Sequence, residues 1–413
     1  MRDHSNHIES SRHVMVREVM KRWKFTRRTE TIPTIEAVGR ICAETLTSKN
    51  TLPGKLTSNM DGIGVYFADF ADGMPDVSTW ERGKQWQFCN TGVAMPADYD
   101  TAIRIEDVTI EGDKLIALDA APDCKGASTT DVGARVREGE LLVKAGQELT
   151  PSLLAALAMG GYTQVKVIAK AKVAFIPTGN ELVAAGAELP EDKNVETNGI
   201  MTRAKLTQWG AEPLMYDIIP DDWDIIESTL KDAVAKADIV IINAGSSKGS
   251  EDFTCEILEQ DGDIICHQLN QGPGRHASAA MLEGCPVIGI SGPPAGAEFT
   301  TDWLVKPLVD LYMGRSLDFP PTVMARMLDA CPMNPRPVTP VRRAQVWRDE
   351  FGGFVARLLP PSPAVALTTY DDANALITIP TDSYGWQEGD FFEVELRWPY
   401  RIPPLVSTNV DWE

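Results

Sequence analysis

Four short apolar runs do most to limit the folds open to this chain: VAFIP, PLMYDII, DIVIINAG and PVIGIS, spread between Val173 and Ser291. Each is rich in aliphatic residues and gives way to a polar or glycine-bearing loop, as strands buried on both faces do. Between them lie stretches with helical patterning, NGIMTRAKLTQWG, WDIIESTLKDAVAKA and EDFTCEILEQDG, and AGAEFTTDWLVKPLVDLYMG follows the last. Strands alternating with helices in this way predict a three-layer α/β domain. In such sheets ligands collect beyond the carboxyl ends of strands, where loops run into helix starts. The TGNEL loop after VAFIP and the AGSSKGSEDFT loop after DIVIIN are therefore a candidate pocket floor.

The flanking regions read differently. Val14 to Arg28, VMVREVMKRWKFTRR, predicts a basic amphipathic helix, expected to be a surface helix or an arm over a partner subunit. Thr34 is expected to cap a helix over IEAVGRICAETL, with Ile35, Val38, Cys42 and Leu46 on one face and Gly39 marking close packing. From about Gly64 to Arg137, short strand-like pieces (GVYFADF, TAIRIEDVTI, KLIALDA) between Gly, Pro and Asp turns predict a small all-β domain. Thr150 caps and Pro151 opens the helix SLLAALAM, which Gly160–Gly161 stop. Beyond Pro320–Pro321 the pieces RAQVWRD, GGFVARLL, ALITIP and FFEVELRW predict a terminal β domain.

Bulk properties exclude several function classes. A chain of 413 residues suggests more than one domain. Its formal charge of −20 argues against nucleic-acid and anionic-membrane partners, though not against a small anion in a local site. The seven cysteines include no C-x-x-C pair, which fits free thiols in a reducing compartment. No signal-peptide core and no run long enough to span a membrane is visible, so a cytoplasmic location is expected. The five histidines (4, 7, 13, 267, 276) lack ligand spacing to one another, which argues against a histidine-rich zinc site.

Five motifs carry chemistry. In SNMDG (58–62), Asp61 precedes a glycine in a turn. In PTGNEL (177–182), Thr178 and Glu181 have capping-box spacing, so a helix cap competes with a ligand contact. In PDDWD (220–224), helix capping accounts for one of Asp221 and Asp222, and the other is left over as a metal ligand. In NAGSSKGSEDFT (243–254), Gly245 and Gly249 allow tight turns. Ser246, Ser247 and the backbone N–H groups can surround an oxyanion there, and Lys248 adds a full charge. In GPGRHASAA (272–280), a Pro-Gly turn projects Arg275 and His276, either as phosphate ligands or as an exposed basic turn. No nucleophile elbow or Cys/His pair proposes covalent catalysis.

In this order, and together with AVGRICAET, NTGVAMPADYDTAIRIED, VKAGQELTPSLLAALAMGGYTQVKV and DDANALI, these motifs resemble the molybdopterin molybdenumtransferase family, known as MoeA in bacteria and the gephyrin E domain in eukaryotes. The resemblance spans roughly residues 30–400. It implies a homodimer of four-domain chains, multidomain α/β plus β. The expected parts are a discontinuous helical and mixed domain (14–55 and 138–170), a protruding β domain (56–137), a three-layer molybdopterin-binding α/β domain (171–318) and a C-terminal β-barrel (319–413). The implied activity is insertion of molybdate into adenylated molybdopterin with release of AMP, aided by Mg²⁺, with other molybdenum-cofactor assembly proteins as partners.

Carried over position by position, the resemblance implies acidic roles for Asp61, Glu181, Asp221 and Asp252, the last three as metal ligands. Thr91, Gly245, Ser247 and Gly249 are implied to contact the pterin, phosphate or nucleotide; Thr178 and Ser246 join them from the motif readings above, and Lys248 and Arg275 as replacements for lysines of the family pattern. The chain departs from the family pattern at Asn180, Arg135, Gln268, Gly272 and Pro293, and Arg275 replaces a lysine. The alternative these departures raise is a non-catalytic paralogue that binds a pterin or other anion as a carrier or regulatory module.

Overall fold

The computed structural model describes residues 8–243, 253–315, 320–360, 370, 372–400 and 402. It divides into two compact units, one of residues 28–168 and one of the N-terminal segment with residues 169 onward.

In the 28–168 unit, Thr29–Pro33 pairs antiparallel with Gln164–Ile168, bringing the two ends of the unit together. Ala37, Cys42, Val143, Leu149, Leu157 and Val167 pack into one core beside the helix Pro151–Met159. Thr150 caps that helix as expected, its Oγ1 accepting from Leu153 N–H at 3.3 Å. The helix expected after Thr34 is not formed. A single 3₁₀ turn, Thr34–Glu36, is followed by Gly39 at φ +72°, and Ile35 and Val38 are exposed. A β-carbon on Gly39 would meet nothing within 4 Å, so this glycine serves a left-handed backbone and not close packing.

The remainder of the unit is β, as its turn-rich composition predicted. Gly62–Val65 lies between Trp86–Cys89 and Thr101–Arg104 in a three-stranded antiparallel sheet. Ile63, Val65, Trp86, Ile103 and Leu115 form the core of this region.

The other unit is built on a six-stranded sheet in the order Glu212–Met215, Lys172–Pro177, Ile239–Asn243, Cys285–Ile290, Ser278–Leu282, Asp263–Cys266. The first four are parallel, and the last two join antiparallel. Alternate residues of the central strands feed opposite cores, as the two-residue period demands. Val173, Phe175, Ile239 and Ile241 meet Leu206, Leu304, Leu308 and Tyr312 on one face. Ala174, Ile176, Val240 and Ile242 meet Ile226, Leu230, Ile257 and Leu258 on the other. This is the three-layer arrangement expected of the strand and helix alternation.

The N-terminal helix, Arg12–Arg22, does not lie free on a surface. Ser11 caps it, and Met15, Val16 and Val19 are buried in the first of these two cores. Arg12 donates to Glu395 Oε1 at 3.1 Å, tying the helix to the C-terminal β region. There Thr322–Met327, Thr339–Arg348, Phe354–Leu358, Ala375–Thr378 and Phe391–Leu396 pair round into a closed five-stranded barrel. Closure removes the unpaired edges that such a small sheet would otherwise expose.

Candidate functional site

The strands Lys172–Pro177 and Ile239–Asn243 end side by side, and the polar groups beyond them are tied together. Thr178 is buried, and both its N–H and its Oγ1 donate to the Asn243 carbonyl, at 3.2 and 3.1 Å. Gly179 follows at φ +149°, a conformation that favours glycine, and its N–H bonds to the Ile219 carbonyl. The Glu181 carboxylate lies over that bare α-carbon: a β-carbon at 179 would come within 2.6 Å of Glu181 Oε2. The capping-box reading of Thr178 and Glu181 fails, because no helix begins here. Leu182–Val183 instead forms a short parallel pair with Asn194–Val195.

Asp221 and Asp222 separate as their spacing suggested. Asp222 caps the helix Trp223–Lys236 by accepting from Ile225 N–H at 3.1 Å. Asp221, left over, turns to the TGNEL loop, where its Oδ2 accepts from Asn180 N–H at 3.1 Å, and Asn180 Oδ1 accepts from Asp221 N–H at 3.4 Å. Both bonds are donated by backbone N–H groups, and the Asn180 side chain serves in them only as an acceptor. Thr178, Glu181 and Asp221 therefore share one end of the sheet.

A cavity of about 410 Å³ opens beside them, lined by Glu181, Asn194, Glu196, Asn198, Asn243 and Pro293 among others. Its organising side chain, Asn198, escaped the sequence reading. Buried at the start of the helix Asn198–Gln208, it donates to Asn243 Oδ1 at 3.0 Å and to the Gly292 carbonyl at 2.7 Å. Its own Oδ1 is buried without a partner. The signal available was positional: an amide at a helix start directly beyond the TGNEL strand, where sheet ligands gather. Pro293 precedes the helix Pro294–Thr300 and supplies no side-chain donor.

Asp61 and Thr91 are brought together in the 28–168 unit. Asp61 Oδ1 accepts from Thr91 N–H at 2.8 Å and from Thr91 Oγ1 at 3.2 Å, and the carboxylate is exposed. Burial pushes the neighbouring Cys89 thiol up, and the charge of Asp61 adds to that. Arg135, in the same unit, is exposed.

Arg275 is half-buried, its Nη2 donating to Glu9 Oε1 at 2.8 Å; His276 beside it is exposed. Gly272 leaves open space where a side chain would stand. Gly245, Ser246, Ser247, Lys248, Gly249 and Asp252 lie outside the described residues. Among the described residues no three His, Cys, Asp or Glu side chains converge as a metal cluster. Mg²⁺ commonly takes only one or two carboxylates, with ligand phosphates and water completing its shell, and the oxygen donors of Glu181 and Asp221 suit that pattern.

Fold and site together define a multidomain α/β plus β protein with a polar, carboxylate-bearing cavity at the end of a largely parallel sheet. Residues 7–161 match the MoeA N-terminal region (domain I and II), and residues 174–310 match a probable molybdopterin binding domain. The molybdopterin molybdenumtransferase of Haemophilus influenzae is 29% identical over 310 residues, covering 72% of this chain and 76% of that protein. The Bacillus subtilis protein of the same name is 27% identical over 401 residues, covering 91% and 93%. A crystal structure of a molybdopterin biosynthesis MoeA protein from Pyrococcus horikosii superposes with a TM-score of 0.77 at 25% identity, covering 94% of this chain and 99% of that one. The chain belongs to the MoeA, or molybdopterin molybdenumtransferase, family. Among the described residues no helix is long and apolar enough to cross a membrane.

Proposed function

We propose that this protein acts in molybdenum-cofactor biosynthesis as a molybdopterin molybdenumtransferase, placing molybdate on the dithiolene of adenylated molybdopterin and releasing AMP. The observation that carries this reading is the gathering of Thr178, Glu181 and Asp221 beside the cavity at the carboxyl end of the sheet. Asn198 and Asn243 hold that floor rigid through their mutual hydrogen bond and the bond to Gly292. Rigid donors and acceptors favour catalysis because they need not reorganise as charge develops.

Glu181 and Asp221, joined by Asp252, would hold Mg²⁺. Bound there, the ion would neutralise phosphate charge as the anhydride breaks. Asp61, with one oxygen engaged by Thr91, keeps its other oxygen available to accept a proton or orient molybdate. Gly245, Ser246, Ser247, Lys248 and Gly249 take the pterin phosphate, and Arg275 assists at the phosphate or nucleotide. The protein works as a cytoplasmic homodimer whose chains divide at the four-domain boundaries given above.

The test is AMP release from adenylated molybdopterin by the purified protein. Release that depends on molybdate and falls by about 10²-fold in D61N is expected. Protein that binds the pterin yet releases no AMP with molybdate present overturns the reading.

A further inference from the structure

The segment Ile8–Ser10 ends in a contact that its own neighbourhood in the chain does not explain. Glu9 and Ser10 form a two-residue parallel strand with Gln268 and Leu269. His267 N–H donates to the Ile8 carbonyl at 2.9 Å and Asn270 N–H to the Ser10 carbonyl at 3.0 Å. Ile8 N–H in turn donates to His267 Nδ1 at 3.0 Å. This register directs the Glu9 side chain at two donors. Its Oε1 accepts from Gln268 Nε2 and from Arg275 Nη2.

The donors outnumber what Glu9 uses. Gln268 is buried, and Arg275 Nε is buried without a partner. A guanidinium presents a fork of N–H groups suited to several oxygens at once, as a phosphate offers them. Here a single carboxylate oxygen takes one guanidinium nitrogen and the Gln268 amide, leaving the guanidinium part-filled. The Glu9–Arg275 pair is also weakly held, since the two side chains are 41% and 36% exposed and solvent screens them.

We propose that Glu9 is the resident anion of an oxyanion site formed by Gln268 and Arg275, and that a ligand phosphate binds there by displacing it. This rests on the reading of Arg275 as a phosphate-contacting residue. The Glu9–Arg275 pair has no net charge, so the site attracts anions only weakly. A ligand must bring more oxygen contacts than Glu9 does in order to enter. Glu9 thereby sets a threshold that favours phosphorylated ligands with several oxygens over single carboxylates.

The experiment is calorimetric titration of the full chain with inorganic pyrophosphate at low salt, on wild type, E9Q, R275Q and the double variant, each checked for folding by thermal unfolding. E9Q, which keeps the shape and removes the charge, binds pyrophosphate roughly two- to fivefold more tightly than wild type, the scale of an exposed charge pair. R275Q binds it more weakly, and the gain from E9Q vanishes in the R275Q background. Should E9Q not fold, E9D retracts the carboxylate by one methylene and gives a smaller gain. If E9Q, or E9D in its place, leaves affinity unchanged or weaker while R275Q weakens it, Glu9 is no resident anion, although Arg275 still contacts phosphate. If R275Q binds pyrophosphate as wild type does, both the Glu9 assignment and the reading beneath it fall.

Discussion

Asp61 and Thr91 form the simplest unit that can be tested one atom at a time. Thr91 holds Asp61 Oδ1 twice, through its backbone at 2.8 Å and its hydroxyl at 3.2 Å. T91V removes only the longer bond, so its kcat/KM should fall less than about tenfold, the worth of one ordinary hydrogen bond. Steady-state AMP release compared across T91V and D61N checks the ranking. Asn198 makes a sharper case, because its amide serves two buried acceptors. N198A leaves Asn243 Oδ1 and the Gly292 carbonyl without that donor, at a cost of about 1–3 kcal/mol. N198D should cost more, since a carboxylate would face both acceptors with no hydrogen to give; urea unfolding of the two variants measures the difference. At this scale the sequence was readable where a residue's role was local. That one of Asp221 and Asp222 caps a helix and the other is left over followed from the helix start alone, although which of them caps did not. The pairing of Glu9 with Gln268 and Arg275 did not, because its partners lie about 260 residues apart and no local pattern encodes such a meeting.

Among the elements, the strand Gly62–Val65 explains why SNMDG ends in glycine. A β-carbon at 62 would lie 1.9 Å from the Ile103 carbonyl oxygen, so a neighbouring strand fills the space a side chain would need. G62A should destabilise the 28–168 unit at the upper end of roughly 1–3 kcal/mol and disturb Asp61 next to it. A lowered thermal midpoint accompanied by lost activity checks this; an unchanged midpoint rejects it. Element type was legible where hydrophobic period and end signals agreed, as at Pro151–Met159 and Trp223–Lys236. It was not legible at Thr34–Leu46, where a helix-like spacing of apolar residues met a glycine that the backbone holds left-handed. The antiparallel pair Asp263–Cys266 and Ser278–Leu282 was hidden for a related reason. The turn GPGRH interrupts it, and the small residues SAAML resemble neither period strongly.

For the whole molecule, the fold was more legible than the chemistry. The α/β and β regions announce themselves by composition and alternation, whereas the site depends on which loops the sheet order places together. Bulk ionisation supplies a test at this scale. Burial, with some help from the charge of Asp238, pushes the Cys285 thiol up to about 12 from 9.0, and burial pushes Cys266 up to about 11. Both thiols stay protonated in the folded state, while their unfolded counterparts lose a proton above about pH 9. Above that pH the unfolded state binds fewer protons at these two sites, so their contribution is neutral below pH 9 and increasingly destabilising as pH rises toward 11 and 12. Urea midpoints at pH 8 and pH 10 check the sign, and replacing Cys285 with alanine should flatten the slope between them.

The placement of the Arg12–Arg22 helix also bears on how the protein is made. Its apolar face is completed by strands and helices that reach Tyr312, and Arg12 closes onto Glu395. On a ribosome, Met15, Val16 and Val19 must therefore wait, exposed, through the synthesis of most of the chain before their partners emerge. The 28–168 unit has no such wait, because its outer strands Thr29–Pro33 and Gln164–Ile168 pair within it. The order of assembly is then the reverse of the order of emergence: the second region made is the first able to close, and the first helix made is among the last to be buried. For those few residues, the vulnerable period is translation.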